Sequence, residues 1–152
     1  MEIFRLYRQK FAEPLSGHGA ALRGARWNSV GIEMIYTAGN RSLAMAEVVV
    51  HLSLAMLPED FVMLTIDIPD SVSILEIPAS ELPKHWNSFP ASENTKRIGD
   101  FFVLEQQHAV LKIPSVVTKG DFNYLINPRH SDFKFIKIKQ IEPFPFDRRL
   151  FE

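Results

Sequence analysis

At 152 residues, with 46% apolar side chains and no cysteine, the chain is long enough to bury one core without a disulfide or metal staple. The lack of cysteine excludes disulfide frameworks, thiolate zinc sites and cysteine nucleophiles. A net charge of −1, from 17 basic and 18 acidic residues, supplies none of the concentrated basic surface that direct nucleic-acid binding needs. The longest apolar run, around Leu43–Leu57, carries Glu47 and His51 and is too short and polar to cross a bilayer. Met1–Phe11 lacks the apolar stretch and cleavage site of a secretory signal. The expectation is one domain over residues 1–152, cytoplasmic and off the membrane.

Along the chain, Ile3–Tyr7 reads as a short strand containing Arg5. The small-residue stretch from Ser16 to Gly31 reads as a structured loop, not a helix, because glycine punctuates it throughout. Glu33–Thr37 predicts a second strand, and Ser42 is the expected N-cap of a helix over Leu43–Leu54. Phe61–Ile68 and Ser73–Ile77 predict strands, and Leu82–Phe89 a loop around Trp86. A helix opening at Ser92-Glu93-Asn94 and reaching Gln107 is expected, with Gly99 as its weak point. Val110–Ile113 predicts a strand, Asp121–His130 a polar loop, and the two-residue alternation of Phe133–Ile141 a half-buried strand. Strands and helices mix without a strict βαβ rhythm, which predicts a single compact α+β domain with a mixed β core.

Glu47 is the most informative position. On a helix, Leu43, Glu47, Val50 and Leu54 fall within a stripe of about 60°. A carboxylate in such a stripe is costly unless it is paired or lines a cavity. A structural ion pair and a carboxylate lining a ligand cleft both satisfy that requirement. The loop Gly24-Ala25-Arg26-Trp27-Asn28 offers an arginine fork suited to phosphate, and Tyr36 a ring suited to stacking; a turn with core aromatics is the plainer reading. Pro114 would present Ser115 at a strand end, and no nucleophile elbow surrounds that serine, so hydrogen bonding is its expected role. Asn127-Pro128 reads first as a turn. The five histidines lack metal-ligand spacing, so no metal site is expected.

Taken together, these segments resemble the RES family, named for a shared Arg, Glu and Ser. The resemblance runs through Phe4-Arg5, Gly24-Ala25-Arg26-Trp27-Asn28-Ser29-Val30-Gly31, Ile35-Tyr36-Thr37-Ala38 and Ala44-Met45-Ala46-Glu47-Val48-Val49-Val50-His51-Leu52. It continues in Pro114-Ser115-Val116-Val117 and Asn123-Tyr124-Leu125-Ile126-Asn127-Pro128-Arg129-His130. Ala25 stands where the family usually has a second glycine.

The resemblance implies a fold similar to the ADP-ribosyltransferase toxins and a cleft that holds NAD⁺ as substrate, with no separate cofactor. It implies Glu47, Arg26, Ser115 and Tyr36 as catalytic residues, and Arg5, Arg26, Tyr36, Ser115 and Asn127 as NAD⁺-binding residues. It further implies a cognate Xre-type antitoxin, with which the chain would act as the toxin of a toxin–antitoxin pair; whether as a homodimer or in a higher complex with the antitoxin is not readable from the sequence. The acceptor of the ADP-ribosyl group, whether water, phosphate or a protein side chain, stays open on the sequence. So does a non-catalytic RES-like binding module, against which the joint retention of Arg26, Glu47 and Ser115 argues.

Overall fold

The computed structural model describes residues 1–152, except for the side chain of Leu54. Regular structure follows the chain as β1 (Glu2–Arg8), α1 (His18–Arg23), β2 (Ile35–Ala38), α2 (Arg41–Val49), β3 (Phe61–Asp67) and β4 (Ile74–Glu76). It continues as α3 (Glu93–Glu105), β5 (Val110–Pro114), β6 (Phe122–Ile126) and β7 (Lys137–Pro143). The strands form one seven-stranded sheet in the order β4-β5-β6-β2-β1-β3-β7. β4 runs parallel to β5 and the other neighbours are antiparallel, so the sheet is mixed and the fold α+β, as expected.

Strand alternation sorts the core. Val62, Leu64 and Ile66 of β3 face one way, together with Ile3, Val110 and Ile126. On the opposite face, Phe61 and Met63 meet Leu43 and Ala44 of α2. Farther along that same face, Leu111, Ile113 and Leu125 meet Trp27 and the α3 residues Phe102 and Val103. The two helices therefore cover separate halves of one face. The halves join where β1 and β2 pair, at Phe4 opposite Ala38, whereas β1 pairs with β3 from Glu2 to Arg8. The β1–β2 ladder does not continue toward Leu6 and Tyr36, and a cleft opens there.

Several sequence expectations change. The Ser16–Gly31 stretch contains helix α1, six residues ended by Gly24 at φ +70°. Short, glycine-bearing helices lack the periodicity that betrays longer ones. α2 is capped by Asn40, whose Oδ1 accepts from Leu43 N–H at 2.7 Å, not by Ser42. It stops at Val49, where Val48-Val49-Val50 crowds χ1 against the preceding turn. The expected stripe is displaced: Leu43 is buried but Val50 is 59% exposed, and the packed face runs through Ala44, Met45 and Val48. Leu54, the stripe's last member, has a side chain outside the described residues.

The stretch Asp121–His130 contains β6, a strand paired on both sides rather than a loop. The alternating run near the C-terminus is split. Ser131–Phe135 forms 3-10 turns, and the edge strand β7 starts only at Lys137. α3 ends at Glu105, with Gln106 in the left-handed region at φ 53°.

Candidate active site

The gap between β1 and β2 is a cleft of about 470 Å³, floored by strand residues and walled by α1, the Gly24–Trp27 segment and α2. On α2 its lining residues are Ala44, Glu47, Val48 and His51, the i, i+3, i+4, i+7 spacing of one helix face. Glu47 therefore sits at the margin of the packed face and looks into the cavity.

Glu47 is held from two strand ends. Ser115, just past β5, donates from Oγ to Glu47 Oε1 at 3.4 Å. Ser115 Oγ in turn accepts from the Val117 and Thr118 N–H groups at 3.0 and 3.1 Å, so the hydroxyl proton is directed to the carboxylate. The Asn123 side chain of β6 stands beside Glu47 at the cleft, while its Nδ2 donates to Thr37 O at 3.2 Å. Burial pushes the Glu47 carboxyl above its ordinary value. The bonds from Asn123 and Ser115 and the charges of His51 and Arg26 pull the other way. A half-desolvated carboxylate with directed donors and a cation nearby is a common arrangement at reactive sites.

Arg26 reaches the same cleft from the loop after α1. Its Nη1 donates to the carbonyls of Trp86 and Ser88 at 3.0 and 2.7 Å. Nη2 and Nε have no hydrogen-bond partner among the described residues, so one edge of the fork is available to a ligand. Burial lowers the Arg26 pKa and the neighbouring Glu47 raises it. Tyr36 shows the cleft its ring, not its hydroxyl. The hydroxyl donates to Asn28 Oδ1 at 2.6 Å and accepts from Trp27 N–H at 3.1 Å, and burial raises its pKa so that it stays protonated. Arg5 lines the cleft too, its guanidinium 3.9 Å above the Tyr7 ring and Nη1 3.4 Å from Ser16 O. Burial lowers its pKa.

Of the residues singled out by sequence, Glu47, Arg26, Tyr36 and Arg5 line one cleft, and Ser115 stands directly behind Glu47 without lining it. Asn127 is not brought to the cleft. It is fully buried, its Nδ2 on Val103 O at 3.1 Å and its Oδ1 accepting from Arg129 N–H at 2.9 Å, a brace between α3 and the following turn. Sequence reasoning passed over Asn123, which touches Glu47, and Asn28, which holds Tyr36. A polar residue inside an otherwise apolar strand was the available signal for Asn123, and it instead made the segment read as a loop.

Residues 2–147 match the family described as RES domain. A protein of Sphingobium sp. (strain YBL2) named Prs ADP-ribosylating toxin is 38% identical over 141 residues, covering 91% of this chain and 88% of the relative. One named Toxin Res, from Photorhabdus laumondii subsp. laumondii, is 38% identical, covering 99% of this chain and 97% of the relative. The solved M. tuberculosis MbcT-MbcA toxin-antitoxin complex contains a similar chain, with TM-score 0.75 and 17% identity. The match covers 94% of this chain and 83% of that one, a likeness of fold.

Proposed function

The chain belongs to the RES domain family, and from that premise we propose that it is a toxin that breaks the nicotinamide–ribose bond of NAD⁺. The supporting observation is Glu47, held at the cleft by Ser115, with Asn123 beside it and the Arg26 charge nearby. In NAD⁺ the nicotinamide nitrogen is already cationic. When the C–N bond breaks, that nitrogen keeps the electron pair and leaves neutral, so no acid is needed to protonate it. The ribose is left with oxocarbenium character, which a fixed carboxylate stabilises. The acceptor then bonds to the anomeric carbon and gives up its proton.

In this reading Glu47 faces the developing cation, and the open edge of Arg26 with Arg5 binds the diphosphate. Tyr36 stacks on a flat ring of the dinucleotide. Ser115 acts through Glu47 and does not touch the ribose. NAD⁺ is substrate here, and no resident cofactor is invoked. A cytoplasmic Xre-type antitoxin partner fits the same cleft, since a carboxylate or chain end from the partner would satisfy Arg5 and Arg26.

The relative named Prs ADP-ribosylating toxin supports a second reading, transfer of ADP-ribose to a protein side chain. Both readings share the bond-breaking step and differ in the acceptor. NAD⁺ labelled in its adenylate phosphate and incubated with the protein in cell extract separates them. Label in free ADP-ribose or its phosphate ester supports NAD⁺ breakdown, and label fixed on a protein band supports transfer. Label left wholly in NAD⁺ overturns both.

A further inference from the structure

Helix α3 contributes no residue to the cleft lining among the described residues, yet its middle turn is fitted to the segment that carries Arg26. At Gly99 an added Cβ would stand 1.6 Å from the Trp27 carbonyl oxygen, so the bare helix backbone rests on that peptide. The next residue, Asp100, is an unfavourable choice for a helix interior by propensity. Both its oxygens are engaged: Oδ1 accepts from Ser29 N–H at 2.8 Å and Oδ2 from Ser29 Oγ at 2.5 Å.

Trp27 and Ser29 flank Asn28, which is fully buried. The Asn28 amide donates to the carbonyls of Ala20, Ser29 and Ile32, and its oxygen accepts from the Tyr36 hydroxyl. Trp27 N–H donates to that same hydroxyl, and Arg26 is the preceding residue. A continuous set of bonds thus runs from Asp100 through Ser29 and Asn28 to the Tyr36 ring.

We propose that Asp100 is a positioning residue for dinucleotide binding: the two hydrogen bonds its carboxylate accepts from Ser29 seat the Ala25–Ser29 segment on α3 and so set Arg26 and Tyr36 in the cleft. The assignment rests on the NAD⁺ reading above. Arg26 and Tyr36 contact parts of the dinucleotide that stay bound through the bond-breaking step, so misplacing them weakens substrate binding more than it slows bond breaking.

The test is steady-state NAD⁺ turnover by wild type, D100A, D100N and S29A, with melting temperature measured on each preparation. D100A lowers kcat/KM by about ten- to a hundredfold, the scale of a small misplacement of binding groups, with KM carrying most of the change. D100N offers a carbonyl to Ser29 N–H and an amide to Ser29 Oγ, and recovers most of the affinity. S29A removes only the hydroxyl arm, preserves the fold if D100A does not, and raises KM about threefold, as loss of one hydrogen bond does. The double variant D100A/S29A is no worse than D100A, because the two share one contact.

A merely structural Asp100 would lower the melting temperature while the folded fraction kept its KM. An unchanged KM in D100A and S29A overturns the assignment, as does a D100N variant as damaged as D100A. A wild-type protein that leaves NAD⁺ intact overturns the function itself and this assignment with it. The first failure is read on the variants and the second on wild type, so the two are distinguishable.

Discussion

Ser115 Oγ and Glu47 Oε1 lie 3.4 Å apart, and the serine oxygen already accepts two backbone N–H groups. The hydroxyl is therefore a donor whose direction is fixed by the turn it closes. S115A removes that donor from Glu47 and leaves the Val117 and Thr118 amides without their acceptor. Turnover falls about tenfold and stability by about 1–3 kcal/mol, the cost of unsatisfied buried groups. Kinetics and thermal melts on one preparation check both numbers. An S115A enzyme as inactive as a Glu47 variant would mean that Ser115 contacts the substrate directly.

E47Q separates chemistry from folding. Removing the charge while keeping the shape lowers turnover by at least about a hundredfold, as loss of an electrostatic stabiliser does. The stability effect has the opposite sign. Burial holds the Glu47 pKa above its ordinary 4.5, so ionisation costs the native state more than the unfolded one. The favourable contribution of protonated Glu47 is fully present below pH 4.5 and is lost as pH rises through the raised value. Above that pH, E47Q melts at or above the wild-type temperature, and wild-type turnover falls as pH drops through the same value. Melting curves and kcat from pH 4 to 8 test the pair of trends. An E47Q protein that melts many degrees lower yet turns over normally removes Glu47 from the mechanism.

Asn123 stands beside the Glu47 carboxylate at the cleft, and N123D places a second acid there. Two adjacent carboxylates resist joint ionisation, so the apparent pKa of the pair moves up. The acidic limb of the kcat profile shifts to higher pH, which a titration of turnover reads directly. An unmoved limb would show that Glu47 does not govern it.

Gly99 was legible only as a weakness in a helix, because sequence alone does not show what lies against a missing side chain. The structure supplies the reason, the Trp27 carbonyl. G99A forces α3 and the Trp27 peptide apart and lowers stability by about 1–3 kcal/mol, the range for overpacking a tight contact. An alanine of normal stability would contradict this contact.

The strongly patterned parts of the fold were legible, among them the apolar run of β3, the β5 strand that runs into Pro114, and α3 opening after Ser92. What escaped was local structure that serves the site. β6 hides because the polar Asn123 near its start breaks the apolar pattern, and α1 because it is short and glycine-bearing. The α2 stripe was centred on Glu47, but the helix rotates so that Ala44 and Val48 pack and Glu47 meets the cleft. The segments carrying Arg26, Tyr36 and Glu47 do meet at one cleft, with Ser115 bonded to Glu47 from outside its lining, whereas Asn127 was drawn toward the site only by its place in a motif. Its bonds to Val103 and Arg129 are tertiary facts that no local pattern carries.

The most direct measurement is nicotinamide release from NAD⁺ by the purified protein, followed by mass spectrometry with and without phosphate, for wild type and E47Q side by side. The account predicts stoichiometric nicotinamide and an ADP-ribosyl product from wild type, and a rate lower by at least about a hundredfold for E47Q. Intact NAD⁺ after prolonged incubation with folded wild-type protein, or equal release by both, would contradict it.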